Sequence, residues 1–217
     1  MKNINFRQWT VRVIELLIGL TIAHLGVTLF LQADMGSDPF NVLIQGLFRF
    51  IPWPAAITHG TVHAGVSFLI ILVLLVVDRS YIRIGTLLCM VLGGPIIDVF
   101  TLILAPVIHS QSPLVLRLAS LVLGCVILAF GMTIVIKSDA GTGPNDLVGV
   151  VISDKSGKKF GVIRILVDIT FALVGFALGG TLGLGTVICA CLGGPTAQIF
   201  MPFSEKLCKR FLSESKL

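Results

Sequence analysis

The chain carries six apolar runs of about 20 residues, at roughly 12–31, 57–77, 84–105, 116–136, 160–178 and 182–202. That length lets a helix cross the ~30 Å hydrocarbon layer of a bilayer. Inside that layer no water satisfies the peptide groups, so only helices or a closed barrel can span it. The runs are continuous rather than alternating, which selects helices. The expected fold is an all-α integral membrane protein with six transmembrane helices, and no polar stretch is long enough for a second domain. Charged residues make up 12% of the chain, against about 25% in soluble domains.

Two loops follow long apolar runs and precede short ones: Asp34-Met-Gly-Ser-Asp-Pro39 and Asp139-Ala-Gly-Thr-Gly-Pro144. They share Asp, Gly and Pro at one spacing. Further matches follow in the same order. Gly26 pairs with Gly131, Gly85-Thr86 with Gly185-Thr186, Cys89 with Cys189, Leu92-Gly-Gly-Pro95 with Leu192-Gly-Gly-Pro195, and Phe100 with Phe200. The chain is thus read as two repeats, 12–105 and 116–202, with an amphipathic tail at 203–217. Each repeat holds three spans, an odd number, so the two are expected to cross the membrane in opposite senses, as in secondary transporters. The short segments at 40–50 and 145–152 are expected to be re-entrant or interfacial helices.

Thirteen of the 16 basic residues fall on one side if the N-terminus is cytoplasmic. This places both termini in the cytoplasm of a plasma-membrane protein. The net charge of +5 is then an orientation signal, and no nucleic-acid partner is expected. Glu15 is expected to snorkel near Arg12. The five cysteines form no CxxC and read as small packing residues, so neither metal nor cofactor is expected. There is no GxSxG, HExxH, phosphate-binding loop or dinucleotide fingerprint, so no enzyme is indicated.

Candidate binding residues cluster on the loops and the proline-bearing spans. Asp38 with Pro39, and Gly143 with Pro144, have the form of a helix N-cap followed by proline at the first helical position. Each would deliver free N–H groups, a dipole site, with Asn41, Gly141, Asn145 and Asp146 alongside. Asp34 and Asp139 could hold a cation or proton. Gly94-Pro95 and Gly194-Pro195 are expected to break their spans and free carbonyls, with Asp98 and Gln198 one turn on. Arg164 and Asp168, four apart, form a pair on one helix face. His24 and Asp98 are candidate proton or ion relays.

The motifs Gly141-Thr-Gly-Pro-Asn-Asp146, Lys159-Phe-Gly-Val-Ile-Arg164, Leu182-Gly-Leu-Gly-Thr186 and Leu192-Gly-Gly-Pro195 with Gln198, and the weaker Gly36-Ser-Asp-Pro-Phe-Asn41 and Ile84-Gly-Thr86, resemble the YczE/YyaS/YitT family of bacterial membrane proteins. The resemblance implies a multi-pass plasma-membrane protein. The leading expectation is a small secondary transporter or permease for a small polar or ionic solute, acting as a homodimer in the lipid bilayer. The alternative is a membrane accessory protein that recruits a cytoplasmic enzyme through the basic 155–159 loop and the tail.

Overall fold

A computed structural model describes residues 6–214. It contains α1 (Phe6–Ala33), α2 (Pro39–Phe50), α3 (His59–Asp78), α4 (Ile84–Leu104), α5 (Leu114–Ser138), α6 (Pro144–Ser156), α7 (Phe160–Ala177) and α8 (Leu184–Glu214), with a 3-10 turn at Arg79–Tyr81. No strand occurs among the described residues. Five helices (α1, α3, α4, α5 and α8) are long and apolar enough to cross a membrane. Helix α7 has 18 residues and carries Arg164 and Asp168.

Helices α1 and α5 make the most extensive contact in the bundle. Gly19 and Gly26 on α1 meet Gly124 and Gly131 on α5, two residues seven apart on each helix. A Cβ on Gly26 would stand 2.6 Å from the Gly124 carbonyl oxygen, and one on Gly131 would stand 2.3 Å from the Ala23 nitrogen. Small residues let membrane helices approach until backbones touch. Around this crossing Val27, Phe30, Leu121 and Cys125 form a buried core with Ile97 of α4.

The two repeated loops dock across the bundle in the same way. Gly85 at the start of α4 donates its N–H to Ala140 carbonyl oxygen (3.0 Å), and Gly185 at the start of α8 donates to Met35 carbonyl oxygen (2.8 Å). A Cβ on Gly141 would lie 2.7 Å from Thr86 N, and one on Gly36 would lie 2.7 Å from Thr186 Oγ1. Both loop glycines have positive φ, 100° at Gly36 and 145° at Gly141, a region open to glycine at no steric cost. The paired Gly-Thr motifs are therefore docking platforms for the opposite loop.

Arg117 on α5 caps the end of α1. Its Nε donates to Ala33 carbonyl oxygen (2.8 Å) and its Nη2 to Asp34 carbonyl oxygen (3.3 Å). The last carbonyls of a helix lack intrahelical partners and carry partial negative charge. Arg117→Gln is expected to cost about 1–2 kcal/mol, read as a lower apparent Tm in detergent, while Lys at the same position retains part of it.

Three sequence expectations need correction. The Gly-Gly-Pro motifs do not break their spans, since α4 runs through Pro95 and α8 through Pro195. A proline removes one hydrogen bond, whereas unwinding the helix would expose several peptide groups with no water to receive them. The last span also does not stop at Pro202 before a separate surface tail, because α8 continues to Glu214. Its final third is held to α5, where the Ser204 and Thr133 hydroxyls are 2.7 Å apart and Lys137 binds Glu205 at 2.7 Å. Finally, Glu15 does not snorkel. It is buried against Cys208 of α8. The last residues of the expected 203–217 tail, 215–217, lie outside the described residues.

Candidate functional site

Helix α2 starts inside the bundle and runs outward. At its start Phe40 packs on His63 of α3 and Phe171 of α7, with ring centroids 5.3 and 5.6 Å apart. At its far end Arg49 reaches Asp34 (2.9 Å), Thr181 (2.8 Å) and the Gly179 carbonyl. Helix α6 does the same from the opposite end of the bundle. Its start meets Arg164, and its last turn meets the α3–α4 turn through Asp154–Tyr81 (2.9 Å) and Lys155–Asp78 (3.5 Å). The N-termini of both short helices thus point inward.

Both N-termini are built as expected. Asp38 is the N-cap of α2, accepting from the Asn41 backbone N–H (3.2 Å) and Nδ2 (2.8 Å), with Pro39 at the first helical position. Gly143 caps α6 with no side-chain bond, and Pro144 follows. Asp146, in the first turn of α6, complements the positive end of its helix.

Arg164 of α7 ties the site together. It donates to Asp146 at 2.5 Å and to Asp168 at 2.9 Å, and Asn145 Nδ2 donates to Asp146 at 3.2 Å. One guanidinium stands between two carboxylates. Asp38 lies within electrostatic reach of Asp168 and of His24, and among the described residues it has no basic partner at ion-pair distance. Cys189 of α8, packed on the apolar core, lies within electrostatic reach of Asp38, Asp168 and Arg164. The side chains of Arg164, Asp146 and Asp168 keep between a fifth and a third of their surface exposed, so the cluster faces open space. The buried Oδ1 of Asn41 and Oγ1 of Thr142 have no partner among the described residues. Such a group offers charge-assisted hydrogen bonds to a small polar solute.

The other expected residues lie elsewhere. Asp34 and Asp139 are clamps at the two ends of the bundle: Asp34 binds Arg49, and Asp139 binds Arg12 (2.6 Å) and Arg83 (2.8 Å). Both have positive φ, 46° and 55°, and Gly141 serves docking. Asp98 does not join the central cluster. It caps α3, accepting from the Thr58 hydroxyl (2.5 Å) and the Gly60 N–H (3.0 Å). Gly94 packs against Gly60, so that a Cβ on Gly94 would lie 2.1 Å from the Gly60 carbonyl oxygen. A Cβ on Gly194 would meet nothing within 4 Å among the described residues, and Gln198 is exposed on α8 with Pro195.

His24 reaches His63, with rings 5.6 Å apart. Thr58 and Gly60 are not among the residues the sequence singles out, and Gly93 enters only as part of the Gly-Gly-Pro motif. The signal for the first was a capping pattern, Thr58-His-Gly-Thr61, at the start of a span. A separate apolar groove of about 600 Å³ between α3 and α6, lined by Leu69, Val73, Val148 and Ile152, holds none of the site carboxylates.

The all-helical fold, with five helices long and apolar enough to cross a bilayer, defines a multi-helix membrane protein. Residues 10–202 match the family of unknown function DUF6198, and the chain belongs to that family. It is similar to the Bacillus subtilis protein YyaS, 27% identical over 199 residues covering 92% of this chain and 95% of YyaS. It is likewise similar to the B. subtilis membrane protein YczE, 28% over 190 residues, 87% of this chain and 85% of YczE. A Haemophilus influenzae protein is 30% identical over 195 residues, 88% of this chain and 84% of that protein. These matches agree with the resemblance read from the motifs. No solved structure matches the chain.

Proposed function

We propose that this chain is a small secondary transporter that moves a small polar or ionic solute past the Asp38–Asp146–Arg164–Asp168 cluster. In this reading α7 is the sixth span, both termini are cytoplasmic, and α1–α4 and α5–α8 are inverted repeats that exchange roles during transport.

One observation carries the reading: the two matching Gly-Gly-Pro seams are packed unequally. At the first, α3 and α4 touch through Gly60 and Gly94, and Asp98 seals the contact by capping α3. At the second, Gly194 and Gln198 of α8 face no partner of that kind among the described residues, although in sequence Gly161 aligns with Gly60. With cytoplasmic termini the packed seam is external and the unpacked one internal. Two equivalent halves in unlike arrangements are what alternating access requires of an inverted repeat, here facing inward.

The test uses a variant lacking the native cysteines. The pair Lys159→Cys with Gln198→Cys marks the internal seam, and Thr58→Cys with Asp98→Cys marks the external one. Short thiol cross-linkers are expected to trap each pair, and trapping either is expected to abolish cross-linking of the other. If the 159–198 pair never cross-links in membranes, the reading fails.

A further inference from the structure

His24, His63, His59 and Asp98 form a line of titratable groups that packing alone does not explain. His24 and His63 meet edge to face at 5.6 Å. His59 is one turn before His63 on α3 and lies within electrostatic reach of Asp98 and Arg49. The line runs from the Thr58 cap, which is exposed, to the centre of the bundle, where His24 is within reach of Asp38. Both ring nitrogens of His59 and Nδ1 of His63 are buried with no partner among the described residues, although buried polar atoms are nearly always satisfied. His24 Nδ1 is 2.8 Å from Leu20 carbonyl oxygen, so in the neutral ring Nε2 is left to accept.

The space for the two imidazoles is made by a glycine. A Cβ on Gly93 would stand 2.9 Å from His24 Nε2 and 3.1 Å from His63 Cε1. Phe40 of α2 packs on His63 and Phe48 of α2 on His59 at 6.0 Å; the charged groups in reach of the line are Asp98, Arg49 and Asp38, and the Thr28 hydroxyl donates to the His24 carbonyl oxygen. The second repeat has no such line. Its matching residues are Ala129, Phe160, Arg164 and Gln198.

We propose that this line binds and conducts the coupling proton, entering beside Asp98 and Thr58, passing His59 and His63 to His24, and ending at Asp38 of the solute site. The proposal rests on the transporter reading and names its driving ion. Histidine is the side chain that gains and loses a proton near neutral pH, and a charged imidazole in an apolar setting needs a counter-ion. For His59 that counter-ion is Asp98. Protonated His59 competes with Thr58 and Gly60 for the Asp98 carboxylate, which loosens the α3 cap and with it the α3–α4 seam. The proton moves from ring to ring and then to Asp38, and each donor is left neutral to accept again. Proton binding from the Thr58 end is thereby tied to opening at that end.

Ser67 reports on that opening. It lies seven residues beyond Gly60 on α3 and is fully buried. In a variant otherwise free of cysteine, Ser67→Cys is exposed to a membrane-impermeant methanethiosulfonate added at the Thr58 side of oriented vesicles. The labelling rate at about pH 5.5, on the acid side of histidine's usual pKa, is expected to be about tenfold above that of the same protein carrying His59→Gln or His63→Gln. Comparing variants at one pH cancels the thiol's own pH dependence. Size-exclusion profiles confirm that each variant is folded, and His59→Asn supplies a second polar replacement. Equal labelling of all folded variants at both about pH 5.5 and about pH 7.5 overturns the proposal. If the 159–198 cross-link forms while labelling is equal, only the proton claim falls; if that cross-link never forms, the transporter reading falls with it.

Discussion

Gly194→Ala is expected to leave folding intact and stop solute exchange, whereas Gly94→Ala is expected to lower stability. The two residues occupy matching places in the repeated Leu-Gly-Gly-Pro motif, so local sequence does not separate them. Their surroundings do. A Cβ at Gly94 meets the Gly60 carbonyl oxygen at 2.1 Å, a backbone atom that cannot swing aside, so α3 and α4 must part. Overpacking of this kind costs about 1–3 kcal/mol, and loss of the Asp98 cap adds about 1 kcal/mol. At Gly194 nothing lies within 4 Å, and alanine is a better helix former than glycine by about 1 kcal/mol. Gly194→Ala is therefore expected to raise the apparent Tm slightly while preventing the close approach of α7. Thermal melts and the 159–198 cross-link check the two halves of this expectation. A Gly194→Ala protein that still cross-links at full rate would contradict it.

Arg164→Gln is expected to be the most damaging single change at the central site. It leaves Asp146 and Asp168 facing each other with their shared cation removed. Breaking a buried pair costs about 3–5 kcal/mol. The partial exposure of these side chains reduces that to about 2–3 kcal/mol through solvent screening. The charge account makes a further demand. Arg164→Gln combined with Asp168→Asn is expected to recover part of the lost stability, because the repulsion between the two carboxylates is gone and Asp146 keeps Asn145 and the positive end of α6, yet not transport. A double variant no more stable than Arg164→Gln alone would show that shape, rather than charge, holds α6 to α7.

Much of the helical plan was legible in the sequence for simple reasons. Pro39 and Pro144 mark helix starts because proline fits only the first turn, and Arg164 with Asp168 reads as a pair from its spacing alone. What was misread depended on contacts distant in sequence. Asp34 and Asp139 look like exposed binding carboxylates until Arg49, Arg12 and Arg83 arrive from other helices. Asp98 looks like a lone intramembrane acid until the start of α3 folds onto it. Asp146 joins Arg164 only once α6 docks on α7, across 18 residues. Pro95 and Pro195 read as breaks and Pro202 as the end of its span, but in hydrocarbon the helix that loses a single bond is preferable to one that unwinds. The seam difference between Gly94 and Gly194 was illegible in principle, since two identical motifs differ only in what packs on them.

Alternating access requires the two halves to exchange arrangements. Distances between spin labels on the protein in nanodiscs test it most directly. One label pair sits at Lys158 and Ile199, across the unpacked α7–α8 seam, and the other at Ala56 and Leu102, across the packed α3–α4 seam; Ile199 and Leu102 are exposed at 72% and 78%. The account predicts two populations at each pair, with conditions that shorten 158–199 lengthening 56–102. A single unchanging distance at both pairs, or both lengthening together, would contradict it.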